Sequence, residues 1–154
     1  MLSEGDNAPD VIVQDAEGRS SKLFEQVKPP LVLYFYPKDD TTGCTREALD
    51  FTAFADDFAA AGVSVIGISK DTPKKHASFI KKHGLKVGLV TDTDGSACEA
   101  YGTWIEKSLY GRKYMGIERA TFLIGPDRRI ARIWHKVKVA GHAEDVLAAA
   151  RALK

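Results

Sequence analysis

A cysteine, a threonine three residues before it and a proline seven before it lie in the run Tyr36-Pro37-Lys38-Asp39-Asp40-Thr41-Thr42-Gly43-Cys44. The run follows an apolar segment and precedes one with helical periodicity, which places Cys44 at a helix N-terminus. There the first-turn N–H groups and the helix dipole favour the thiolate over the thiol. Thiolate is the nucleophilic form of sulfur, so the chemistry on offer is attack by one reactive sulfur. Thr41 supplies a hydroxyl nearby, and Gly43 allows close backbone approach. Pro37 stiffens the exit from the preceding strand. An attacked substrate develops negative charge, which backbone N–H groups and a cation would stabilise. The competing reading makes Cys44 a small buried hydrophobe, and its polar, loop-like neighbours argue against that.

The elements that must hold this thiol follow from periodicity. Leu31-Val32-Leu33-Tyr34-Phe35-Tyr36 is continuously apolar, as a strand buried on both faces requires. Ala48, Phe51, Ala55 and Phe58 form a stripe that predicts one helix over Thr45–Ala61, with Gly62 as its stop. Val63–Ser69 reads as a second buried strand. Thr72 before Pro73 opens a helix that runs to His83 and ends at Gly84. Val87–Val90 is a short strand, and Ser96 caps a short helix to Tyr101. Ala120–Ile124 and Ile130–His135 form a hairpin across the Gly125-Pro126-Asp127 turn, and Ala143–Leu153 is an amphipathic helix. At the N-terminus, Val11–Gln14 and Ser20–Leu23 flank a turn at Asp15–Gly18, which predicts another hairpin.

Strand–helix–strand alternation implies right-handed crossovers and parallel central strands. With the hairpins, the fold class is α/β: a central mixed β-sheet flanked by helices, in one domain spanning residues 1–154. Reactive groups in such sheets sit beyond the carboxyl ends of the central strands, where Pro37–Cys44 falls.

Composition narrows the classes further. Apolar residues make up 44% and charged residues 28%, the balance of a globular domain. A net charge of +1 gives no electrostatic footprint for nucleic acid or an anionic membrane. No apolar run reaches the length of a membrane span, and Met1–Asp6 lacks the basic and apolar regions of a signal peptide. Two cysteines are too few for a disulfide framework, so a reducing cytoplasm is expected. His76, His83, His135 and His142 show no metal-ligand spacing, and Asp39 and Asp40 read as solvated. Trp104 and Tyr110 are candidates to line an approach to Cys44, but core packing is the favoured reading.

Pro37, Thr41 and Cys44 match the Pro-x-x-x-Thr-x-x-Cys signature of peroxiredoxins. Tyr34-Phe35-Tyr36-Pro37 and Gly43-Cys44-Thr45 resemble the peroxiredoxin Q group, also called bacterioferritin comigratory proteins. Gly67–Asp71, Tyr101–Trp104 and Arg119–Ile124 follow in that group's order, so the resemblance covers nearly the whole chain. It implies a thioredoxin-like fold and reduction of hydrogen peroxide and organic hydroperoxides. Cys44 would attack the peroxide and become a sulfenic acid. Thr41 would hydrogen-bond the peroxide, Arg119 would hold the thiolate and the peroxide, and Pro37 would shield the sulfenate. No metal or organic cofactor is implied, and members of the group are often monomers.

The chain departs from the pattern where recycling is decided. The group's resolving cysteine sits one turn beyond the first, here Leu49, or in the next helix, here cysteine-free. Two routes remain. In one, an external thiol such as glutathione, glutaredoxin or thioredoxin reduces the Cys44 sulfenic acid. In the other, Cys98 resolves Cys44, which requires Cα atoms within about 7 Å. The empty positions favour the first route. A peroxide-sensing relay that passes oxidation to a partner protein is the alternative function. A Cys-x-x-Cys oxidoreductase is disfavoured, because Glu47 stands where its second cysteine would be.

Overall fold

Every side chain of the Leu31–Phe35 run is buried, and the fold is arranged around it. The computed structural model describes residues 1–153. The chain order is β1 (Ile12–Gln14), β2 (Ser20–Lys22), α1 (Leu23–Gln26), β3 (Leu31–Phe35), α2 (Thr42–Ala53), α3 (Ala55–Ala60), β4 (Ser64–Ser69), α4 (Pro73–His83), β5 (Gly88–Thr91), α5 (Ser96–Ala100), β6 (Trp104–Leu109), β7 (Arg112–Ile117), β8 (Ala120–Ile124), β9 (Ile130–Trp134) and α6 (His142–Arg151). Seven strands form one sheet in the order β2-β1-β5-β4-β3-β8-β9. β3 runs parallel to β4 and antiparallel to β8, so the sheet is mixed.

Successive β3 side chains point to opposite faces, as strand geometry demands. Leu31, Leu33 and Phe35 enter one core with Ile68, Phe122, Tyr101 and Cys98. Val32, Tyr34 and Tyr36 enter the other with Cys44, Ala48, Phe51 and α6 residues Val146 and Leu147. Each face is therefore closed by helices. The two cysteines belong to different cores, on opposite sides of the sheet.

Two elements differ from the sequence reading, and a third falls in a stretch to which it assigned none. The helix expected over Thr45–Ala61 is two helices, and it begins earlier, at Thr42. The chain breaks at Phe54, whose N–H bonds back to the Phe51 carbonyl. Phe51 and Phe58 both remain in the core, with ring centroids 5.9 Å apart. No proline or glycine marks the break, so the apolar stripe reads straight through it. Ser20–Leu23 loses its last residue to α1, which buries Leu23 and Phe24. Residues 104–117 form the β6–β7 hairpin, a separate two-stranded sheet. Its turn places Tyr110 (φ 52°) and Gly111 (φ 77°) in the left-handed region, a geometry that asparagine–glycine usually announces. Tyr110 is fully exposed at this tip, not in the core as expected, whereas Trp104 is half-buried and packs against the core.

Candidate active site

Tyr36 makes the last backbone bond from this segment to β4, its N–H donating to the Ile68 carbonyl at 3.1 Å. Pro37 follows, exposed, with no N–H to extend the ladder. The chain turns through Lys38, Asp39 and Asp40, and Thr41 caps α2. Cys44 thus sits in the first turn, where Thr42, Gly43 and Cys44 carry N–H groups that no earlier helical carbonyl can accept. Cys44 is 2% exposed. The Thr41 hydroxyl donates to the Lys38 carbonyl at 2.8 Å. Its proton is committed there, which leaves its lone pairs to accept a hydrogen bond.

Arg119 reaches this spot by sheet register. Ala120 pairs with Phe35, so the residue before it stands at the carboxyl end of β3. The Arg119 Nη2 donates to Cys44 Sγ at 3.3 Å, and Nη1 donates to Glu47 Oε1 at 2.6 Å. Cys44 and Glu47 are three apart on one helix face, and the planar guanidinium spans both. Gly43 makes the room: a Cβ there would lie 3.2 Å from Arg119 Nη2. Burial works against the arginine's charge, but Glu47 and Cys44 outweigh it and raise the guanidinium above its ordinary value.

Sequence reasoning used Glu47 only to exclude a second cysteine. The structure makes it part of the site, 1% exposed and tied to Arg119. Its spacing from Cys44 was the available signal. Burial pushes its carboxyl up from 4.5 to about 7, although Arg119 pulls the other way. Between about pH 4.5 and pH 7 the unfolded chain therefore releases a proton that the folded protein keeps. The Glu47 contribution to folding stability falls across that window, by up to about 3 kcal/mol, against an opposing rise from buried His142, whose pKa is lowered to about 4. Glu47→Gln should remove this decline. The native urea midpoint, taken relative to that of the variant, should fall as pH rises through the window, because the His142 contribution is common to both proteins. Equal slopes would mean that Arg119 fully offsets the burial of Glu47.

The remaining residues sort clearly. Asp39 is buried rather than solvated, and it contacts fully buried His76. Asp40 remains exposed, paired with Lys82 and His83. His142, also buried, meets the Thr121 hydroxyl at 2.8 Å, and burial lowers its pKa to about 4. Cys98 is completely buried, and burial together with Asp92 pushes its thiol up to about 12. Leu49 is 40% exposed on α2, and α4 carries no cysteine. Among the described residues, no helix is long and apolar enough to cross a membrane.

A mixed sheet with a helix-start thiol beyond its central strand, gripped by an arginine, defines the class: a thioredoxin-fold, thiol-dependent peroxidase. The chain belongs to the AhpC/TSA family, whose model matches residues 4–133, and within it to the peroxiredoxins of the Bcp or PrxQ kind. Peroxiredoxin Bcp of Xanthomonas campestris pv. campestris is 49% identical over 122 residues, covering 79% of this chain and 76% of that protein. Peroxiredoxin Bcp of Bacillus subtilis is 42% identical over 143 residues, covering 93% of this chain and 91% of that one. A solved structure of the X. campestris bacterioferritin comigratory protein, described for its alkyl peroxide reduction activity, superposes with a TM-score of 0.88 at 41% identity. That match covers 97% of this chain and 98% of the other. The enzyme is accordingly a peroxidase that acts on peroxides with thiols as reductants.

Proposed function

We propose that Cys44 is the attacking thiol and that an external thiol recycles it. The Cys44 thiolate attacks the outer oxygen of hydrogen peroxide or an organic hydroperoxide. The S–O bond forms as the O–O bond breaks, and the proton of the attacked O–H passes to the departing oxygen, which leaves as water or alcohol. The sulfenate left on Cys44 takes a proton from water to become the sulfenic acid. Thr41 accepts a hydrogen bond from the peroxide O–H. Arg119 and the first-turn N–H groups of α2 stabilise negative charge as it moves from sulfur to oxygen. Pro37, at the mouth, screens the sulfenic acid from water. The observation that carries this reading is the Arg119 contact to Cys44 Sγ at 3.3 Å. The alkyl peroxide activity described for the X. campestris relative supports organic hydroperoxides as substrates.

Recycling follows from the two cores. Cys98 lies across the sheet from Cys44, buried, with its thiolate disfavoured. A thiol from glutathione, glutaredoxin or thioredoxin would attack the sulfenic acid, releasing water and leaving a mixed disulfide. A second thiol would then free Cys44. We place this cycle in a monomer in the cytoplasm, where two free buried cysteines stay reduced.

One equivalent of hydrogen peroxide, followed by intact-mass measurement without reductant, tests the route. The expected product gains one oxygen on Cys44 and keeps Cys98 free. Cys98→Ser should turn over with a small thiol at the native rate. Loss of two hydrogens within one chain would overturn the one-cysteine route. Oxidation without any thiol-dependent recycling would instead point to a relay that needs a specific partner protein.

A further inference from the structure

We propose that His76 is a positioning residue for peroxide reduction, acting through Asp39 to fix the loop that presents Thr41 and the first turn of α2. The inference rests on the reading of Cys44 as the attacking thiol.

The loop between β3 and α2 has lost its strand partners, and Asp40 within it takes a left-handed φ of 60° without being glycine. Such a segment holds one shape only if its surroundings impose it. Asp39 is where they do so. Its N–H donates to Asp71 Oδ2 at 2.8 Å, and its Oδ1 accepts from the Tyr36 hydroxyl at 2.5 Å. Its Oδ2 lies 2.7 Å from His76 Nδ1. Asp71 is fixed in turn by the Ser69 hydroxyl at 2.7 Å. The side chains of His76 and Asp39 are 0% and 5% exposed. Water therefore cannot substitute for a lost partner.

His76 is tied at both ends. Its Nε2 lies 3.1 Å from the Val90 carbonyl on β5. Oxygens thus face both ring nitrogens. Both contacts are attractive only if Nε2 carries a proton and a second proton lies between Nδ1 and Asp39. The Tyr36 hydroxyl adds a third proton, since burial holds it far above its ordinary value and keeps it a donor. The result is a buried, charge-assisted connection from β5 through α4 to the middle of the loop. The exposed Asp40 contacts to Lys82 and His83 tie the next residue to the same helix, but screened surface pairs hold weakly.

The consequence for chemistry is relative placement. Arg119 is anchored by β8, whereas Thr41 and the start of α2 are anchored by this loop. The contact between guanidinium and sulfur depends on both. α4 carries no cysteine, so nothing in the proposed cycle requires it to leave the loop. It can serve as a fixed brace.

Single-turnover oxidation of Cys44 by hydrogen peroxide, followed by quenched mass measurement, tests the brace in three variants. His76→Ala should slow oxidation by about 10- to 100-fold, the effect of displacing reacting groups by about an ångström. His76→Asn keeps an amide donor near the Nδ1 position and should return most of the rate. His76→Gln reaches toward Val90 instead and should not. Urea midpoints identify variants that fold; if the alanine variant does not, the asparagine and glutamine variants decide. Folded variants that all oxidise at the native rate would overturn the inference, as would glutamine rescuing as well as asparagine. A native protein that gains no oxygen at Cys44 would instead overturn the proposed function, and this inference with it.

Discussion

Cys44→Ser should abolish peroxide consumption. Serine keeps the shape of the side chain but cannot supply the chemistry. Its hydroxyl stays protonated at neutral pH, and oxygen does not accept a second oxygen as sulfur does. Nothing else within reach of Arg119 can take the role, because the other thiol lies across the sheet. Loss of a covalent nucleophile typically costs more than about 10⁴-fold in turnover. The substitution should not unfold the protein. Arg119 Nη2, now 3.3 Å from the sulfur, can donate to a serine oxygen in the same place. A buried hydroxyl with a donor costs on the order of 1 kcal/mol, well below the stability of an ordinary domain. Peroxide consumption with a thiol reductant, measured beside a urea midpoint, separates the two effects. A folded serine variant that still consumed peroxide would sink the reading of Cys44.

How much of this was legible in the chain depends on how locally each feature is encoded. The α4 boundaries read correctly from Thr72-Pro73 at one end and Gly84 at the other. The Thr72 hydroxyl accepts from the Lys75 N–H, and Gly84 adopts φ 61°. Caps and stops act within one turn, so they show in sequence. The β3 run read equally well, since a strand buried on both faces must be apolar throughout. The α2–α3 break and the β6–β7 hairpin lacked their usual marker residues. Within the site, the motif pointed to Cys44 and the family resemblance to Arg119, and the two meet across 75 residues. Glu47 and the Asp39–His76 pair did not show. A buried carboxylate looks in sequence like any surface acid, and its partners stand 72 and 37 residues away. Long-range pairing is invisible to a local pattern, and it is where sequence reasoning failed here.

Arg119→Ala should slow Cys44 oxidation by about 10²- to 10³-fold, the usual effect of removing one donor aimed at developing charge. Two contacts vanish together. The sulfur loses the cation 3.3 Å away, and Glu47 loses the donor at 2.6 Å. Glu47 is already pushed to about 7 by burial with Arg119 beside it. Without that cation it rises further and takes up a proton near neutral pH. That protonation limits the damage to folding, because no bare carboxylate is stranded in the core. It does nothing for the reaction, where the departing oxygen still needs a positive partner. Arg119→Lys separates charge from shape. A single ammonium keeps the charge, but it cannot reach sulfur and carboxylate at once as the guanidinium fork does. Its oxidation rate should fall between alanine and arginine. Rate constants for the three proteins at one pH, from quenched mass measurements, decide the point. An alanine variant that folds and oxidises at the native rate would show that the arginine serves Glu47 alone. Equal rates for lysine and arginine would show that charge suffices and the fork does not matter. The expected order, arginine above lysine above alanine, would mean that the reaction uses both the charge and the geometry that Gly43 leaves room for.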